Sequence, residues 1–230
     1  MTTEHDNLTY SAYLRLPELL ALQTPVGPPD MPMHAKAAEH FFIVVHQAFE
    51  LWFAQQLLDL QCATAALDAD DCEVAVEHLL RVAAIQRLLN DQMLLLDHLP
   101  PRSFLEFRPS LGTASGSESA QARQVQHALG LRSLGESMVW VAFRGALERA
   151  GIDLEALYRA PSRAGRLYRV AEALVDLSEA NWLMAAMHIR IADRAIGDRP
   201  GTAGTSGVTY LMEALKEKAF PELWAVRTRL

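Results

Sequence analysis

The sequence predicts an all-α protein, an antiparallel bundle of long helices. Apolar residues recur three and four positions apart over several long stretches, as one face of a helix requires. No segment sustains the apolar–polar alternation of a half-buried strand. Half of the 230 residues are hydrophobic, enough to fill a substantial core between such helices.

Residues 1–34 read as an N-terminal arm and loop, and residues 35–230 as one all-helical domain. The arm begins polar and continues Leu8-Thr-Tyr-Ser-Ala-Tyr-Leu14. Pro17 sits where a proline opens a short helix to Gln23. Pro25, Gly27, Pro28, Pro29 and Pro32 then make a loop. A long helix follows over 35–67, with Phe41, Val44, Val45, Ala48, Leu51, Trp52 and Leu58 at helical spacing. Asp68-Ala-Asp-Asp71 is a turn that supplies an N-cap for a second helix over 71–98. Pro100-Pro101 stops that helix, and 102–116 read as an irregular connection. Further helices are expected from Ser117 to Leu129, over 133–150, 153–158 and 163–196, and over 207–217 and 220–227.

Charge and composition exclude several functions. A formal net charge of −7 with scattered basic residues gives no stripe for nucleic acid. No stretch reaches the ~18 uninterrupted apolar residues of a membrane helix, and the polar start lacks a signal core. The expected location is cytoplasmic, in keeping with Cys62 and Cys72 as two reduced thiols. No Cys-x-x-Cys-His haem attachment, zinc spacing, His-Glu-x-x-His, Gly-x-Ser-x-Gly or di-iron Glu-x-x-His pair occurs.

Two histidines stand out. His188 lies deep in the Met- and Ala-rich stretch Leu167 to Ile196, sharing its face with Met184, Ala185, Ile191 and Ala192. His46 shares a face with Phe42, Phe49, Glu50 and Phe53, which should desolvate it and favour its neutral form. Spacing alone leaves each open as a core histidine satisfied by a neighbouring group. An imidazole among small residues can instead hold a flat metal cofactor while a second meets a substrate. Arg108, between Phe107 and Pro109, is either a surface arginine or a carboxylate fork. Gly112-Thr-Ala-Ser-Gly116 and Gly201-Thr-Ala-Gly-Thr-Ser-Gly207 are either linkers or loops whose amides approach an anion.

Taken in order, these segments resemble the tryptophan 2,3-dioxygenase family. Leu8 to Leu16 is similar to its Leu-Thr-Tyr-x-x-Tyr-Leu segment, and Glu39 to Phe53 to its distal-histidine helix. Phe107-Arg108 with Ser115-Gly116 is similar to its Phe-Arg…Ser-Gly loop. His188 with Arg194-Ala-Ile-Gly197 resembles the proximal-histidine helix, Gly201 to Val208 the loop that closes over substrate, and Phe220 to Thr228 the C-terminal segment.

The resemblance implies helices that enclose a pocket for haem b, with His188 as iron ligand and Met184 and Gly116 beside the cofactor. It implies that His46 meets the indole N–H of an aromatic amino acid. Phe42 would line the indole pocket, and Arg108, Thr202, Phe104, Ser115 and Gly116 would surround the amino-acid end. Tyr10, Tyr13 and Leu14 would complete the pocket of a neighbouring subunit in a homo-oligomer, a tetramer or a dimer. The implied reaction adds O2 to tryptophan and gives N-formylkynurenine.

The chain departs from the family pattern in four places. It is shorter, with the loss between Gly130 and the 163–196 helix. Phe104 replaces a tyrosine, Met184-Ala-Ala-Met187 replaces Trp-Arg-Phe-Arg, and Asp198-Arg-Pro200 replaces a more basic stretch. The shortened middle and Phe104 motivate a competing expectation, a monooxygenase acting on a modified tryptophan, an indole or a phenolic amino acid; further alternatives are a haem-binding protein without turnover and a helical interaction domain without cofactor.

Overall fold

A computed structural model describes residues 8–131, 135–197, 199–200 and 207–230. Twelve α-helices and several 3-10 turns make up the described residues, with no strand among them. The long elements are α3 (Met33–Asp68), α4 (Cys72–Leu94) and α10 (Arg166–Ile196). They start and stop where local chemistry says they should. Asp71 caps α4 by accepting from the Val74 amide, and Ser137 does the same for α7 (Met138–Ala150) through the Trp140 amide. Gly151 ends α7 in the left-handed region, at φ 64°, which a glycine adopts without strain.

The neighbours of α4 run in opposite senses. Contacts between α3 and α4 pair Val45 with Gln92, Gln56 with Gln86 and Asp59 with His78, so these two are antiparallel. Between α4 and α10, Glu73 meets Arg169 and Asp97, just beyond α4, meets Arg190, so these two are parallel. The parallel pair is possible because the chain between them is long. It carries α5 (Pro101–Phe107), α6 (Ala120–Ala128), α7, α8 (Leu154–Arg159) and α9 (Pro161–Ala164).

The large core fills one end. Leu60, Leu67, Leu79, Val82, Phe143, Leu174 and Leu177 meet there. The last helices close it: Phe220 and Leu223 are buried in the same cluster, before and within α12 (Pro221–Ala225). Hydrogen bonds fix them to α10, from Trp224 Nε1 to Ser178 Oγ and from Ser178 Oγ to the Ala219 carbonyl. At the other end two smaller clusters lie among α3, α4, α5 and α10.

Two sequence expectations are corrected. The stretch 102–116 is not an irregular loop throughout. Pro101 opens α5 rather than ending a helix, since a first-turn proline has no amide to leave unpaired. Only 112–115 lie outside helical or 3-10 structure. Second, Val44, Leu51 and Leu58 are exposed although they fall at helical spacing. The buried stripe of α3 is Val45, Phe49, Gln56, Leu60, Ala63 and Leu67. A helix apolar on more than one side has two candidate stripes, and periodicity does not choose between them.

The arm folds into two short helices, α1 (Tyr10–Tyr13) and α2 (Leu16–Leu19), with Tyr10 75% and Tyr13 71% exposed. No described helix is long and apolar enough to cross a membrane.

Candidate haem and substrate site

His46 sits in an aromatic box. Its ring lies 3.9 Å from that of Phe42, centroid to centroid, and 6.4 Å from Phe49. Phe42 in turn packs on Phe104 and Phe107, whose rings meet edge to face at 5.3 Å. Nδ1 of His46 is 2.7 Å from the Phe42 carbonyl. A carbonyl only accepts, so Nδ1 carries the proton and, in the neutral ring, Nε2 is left with its lone pair. Burial lowers the pKa of His46, against the opposing pull of the Phe42 carbonyl and the Glu50 charge. The desolvation expected from sequence is therefore present, and the geometry adds the tautomer.

The loop before α3 forms a second wall. Glu39 is buried, and its carboxylate accepts from the amides of Val26 and Gly27. A Cβ at Gly27 would stand 2.7 Å from Glu39 Oε2, so only glycine lets the carboxylate come this close. This clamp holds the loop so that Met31 packs with Ala35, Ala38, Phe104 and Phe107.

His188 is exposed on α10, in contrast to the burial its Met- and Ala-rich surroundings suggest. The apolar residues beside it explain the difference. Met184, Met187 and Ile191 turn toward Val45, Phe49, Ile85 and Leu89, leaving His188 on the adjacent face with Ala185 and Ala192. The helices that carry the two histidines thus share one apolar cluster. At the end of α10, Ile196 packs with the Phe42, Phe104 and Phe107 group.

Arg108 is half-buried, and its Nη2 donates to the Pro200 carbonyl at 2.6 Å. It therefore stands beside Pro200, the residue that precedes Gly201 in sequence. Thr202 lies outside the described residues. Ser115 accepts from the Ser117 amide and forms a capping box with Glu118. Gly116 has no positive φ and open space where a Cβ would go. Nothing among the described residues requires glycine there. Tyr10, Tyr13 and Leu14 are exposed.

Three side chains at the site were not marked out by the sequence. Phe107 is wholly buried at the centre of the aromatic box, although it resembled a loop residue. Gln86 and Asn90 are buried and polar on α4, and Gln86 Nε2 contacts Met184 Sδ. Their signal in sequence was two amides on the apolar face of a helix.

The comparisons bear on this arrangement. A family model described as tryptophan 2,3-dioxygenase matches residues 1–136 and 135–230. The chain belongs to the tryptophan 2,3-dioxygenase family. It is 33% identical to a tryptophan 2,3-dioxygenase of Caulobacter vibrioides, over 97% of this chain and 99% of that protein. It is 33% identical to one from Kineococcus radiotolerans, over 97% of this chain and 91% of that one. With the Rhodococcus jostii protein of the same name the identity is 32%, over 100% and 94%. The Caulobacter alignment runs over 267 positions, more than the 230 residues of this chain, so gaps fall in it. The two parts of the family match meet at 135–136, between Gly130 and α10.

The residues fit a haem. His188 offers one exposed imidazole beside the small Ala185 and Ala192, a donor that would suit the iron of a haem. Gly116 gives unobstructed backbone, and Met184 supplies a soft apolar edge.

Proposed function

We propose that this protein is a cytoplasmic haem b oxygenase that takes L-tryptophan and O2 to N-formylkynurenine. The observation that carries the reading is His46: held neutral by burial, with Nδ1 committed to the Phe42 carbonyl and Nε2 an open acceptor among phenylalanines. Such a nitrogen suits an indole N–H, which is a donor attached to a flat apolar ring.

His188 would hold the iron, with Met184 and Gly116 beside the macrocycle. When bound, the haem supplies the iron chemistry that adds both atoms of O2 across indole C2–C3. The chain supplies position. Phe42 lines the indole, Phe104 stands toward the amino-acid end, and His46 Nε2 fixes the indole N–H edge. Arg108 pairs with the substrate carboxylate, Ser115 and Thr202 complete that end, and the enclosed aromatic walls keep water out.

Phe104 favours a second reading. It is buried against Phe42 and brings no hydroxyl to the carboxylate end. That suits a modified tryptophan or a free indole, with monooxygenation as the outcome.

A homo-oligomer, dimer or tetramer, belongs to the same proposal. Its supports are the exposed aromatic arm and the exposed apolar Val44, Leu51, Leu58 and Leu88 on α3 and α4. The test is hemin titration followed by product mass spectrometry under labelled O2. Two labelled atoms in a formylkynurenine support dioxygenation, one supports hydroxylation, and a folded chain that takes no hemin ends the proposal.

A further inference from the structure

The two halves of α10 are held differently. From Leu167 to Ala180 the helix buries eight side chains, in the large core and, with Ser178 and Ala180, beside it. From 181 to 190, the stretch that carries Met184 and His188, no side chain is buried. Its packing is partial, through Met184 and Met187 against the Val45 and Ile85 cluster, with Trp182 Nε1 donating to the Leu215 carbonyl. Further polar contacts hold its two ends.

At its start, Asn90 Nδ2 donates to the Ala180 carbonyl at 2.9 Å. A carbonyl has two lone pairs, so it takes this bond as well as its helical one. The direction of that bond orients a whole chain of amides. With Nδ2 turned to α10, Asn90 Oδ1 faces Gln86 Nε2, which also contacts Met184 Sδ. Gln86 Oε1 then accepts from Gln56 Nε2 at 3.0 Å, and Gln56 donates to the Val82 carbonyl too. All three amides are buried. Amides bonded in series in a low-dielectric interior polarise one another and tolerate one arrangement only. At the other end, Asp97 accepts both Nη atoms of Arg190 and lies 3.5 Å from Arg194. Arg190, hydrogen-bonded to it, holds Asp97 below the usual carboxylate range.

We propose that Gln86, Asn90 and Asp97 are positioning residues that set the register of the 181–190 stretch of α10, and through it the place of His188 relative to His46. Apolar faces slide past one another at small cost, whereas a buried amide has one partner position. That is how single buried polar residues fix register between helices. The consequence for the iron rests on the reading of His188 given above. The mounting itself does not.

Two measurements separate the two claims. The first is amide hydrogen exchange of the hemin-free chain, compared among Asn90→Leu, Gln86→Leu, Asp97→Asn and the parent. Exchange over 181–190 should accelerate roughly five- to tenfold relative to 166–180, the factor one ordinary hydrogen bond accounts for. Leu174→Ala, a truncation in the large core, should lower Tm without that local acceleration. Equal exchange in all chains, or the same local acceleration in Leu174→Ala, overturns the mounting. The second uses hemin-loaded protein. The ferric resonance spectrum of Asn90→Leu and Gln86→Leu should broaden or split, and kcat should fall with little change in KM. One sharp signal identical to the parent's, with unchanged kcat, overturns the link to His188. If the parent takes no hemin the iron assignment fails, and exchange alone still decides whether these residues mount the helix.

Discussion

The two halves of α10 show two ways of holding one helix. The first half is buried among Leu67, Leu79, Phe143 and Phe220, and its place is set by shape. The second half carries His188 on an exposed face and is tied by an amide and an ion pair. On α10 the deepest packing lies in the half with no proposed chemistry, and the proposed iron ligand lies in the half with none of its side chains buried up to Arg190. A chain built this way can lose function with little loss of fold, and the reverse.

The sharpest way to break that contrast is His188→Ala. Hemin affinity should fall at least ~100-fold, beyond what loss of an outer-sphere partner of a metal ligand costs. Titration at the Soret band checks it, and full-intensity binding would remove His188 from the iron. Next comes the packed half. Leu174→Ala should cost about 2–5 kcal/mol in urea unfolding. A cost below 1 kcal/mol, set against that expectation, would mean the first half is as loosely held as the second.

Arg108→Ala should weaken tryptophan binding by about 1–3 kcal/mol, the scale of a charge-assisted hydrogen bond. The rise in KM measures it, and an unchanged KM would leave Arg108 with only its Pro200 contact. A smaller effect concerns pH. Unfolded, His46 titrates near 6.5, and in the fold it titrates lower. Between those values the unfolded chain holds the proton and the folded chain does not. Stability therefore declines as pH falls through 6.5 and levels off below the folded value. Over the same range kcat/KM should stay flat and then drop only below the folded value, when Nε2 becomes a donor. A drop already centred above 6.5 would contradict a buried neutral ring. The smallest effect is that of Gly116→Ala on Tm. With no positive φ and no atom of the described residues within 4 Å of the new Cβ, stability should change by less than ~0.5 kcal/mol. Any loss of hemin affinity in that variant would then report the cofactor and not the fold.

Much of the helix order was legible because long amphipathic stretches announce themselves. The start of α4 followed from Asp71, whereas α7 was expected over 133–150 and starts later, at Met138, under a Ser137 cap. The aromatic face of His46 was legible too, since Phe42, Phe49 and Glu50 fall within one turn of it. What was not legible depended on partners far away in sequence. The period of α3 offered both Val45 and Val44 as core, and only α4 and α10 decide for Val45. Pro101 looks the same whether it ends one helix or begins another. His188 lies among methionines and alanines that do turn inward, yet the imidazole falls one position off their stripe. The tautomer of His46 and the amide chain through Gln86 are set by carbonyls that no residue pattern displays.

The way Phe220 and Leu223 plug the large core has a bearing on how the protein comes into being. A nascent chain on the ribosome can wind α3 and α4 early, but the cavity they share with α7 and α10 stays open until Phe220 and Leu223 have left the exit tunnel. Until then the polypeptide exposes apolar surface that this segment covers, so the emergence of Phe220 and Leu223 is the moment at which that core is shielded from aggregation.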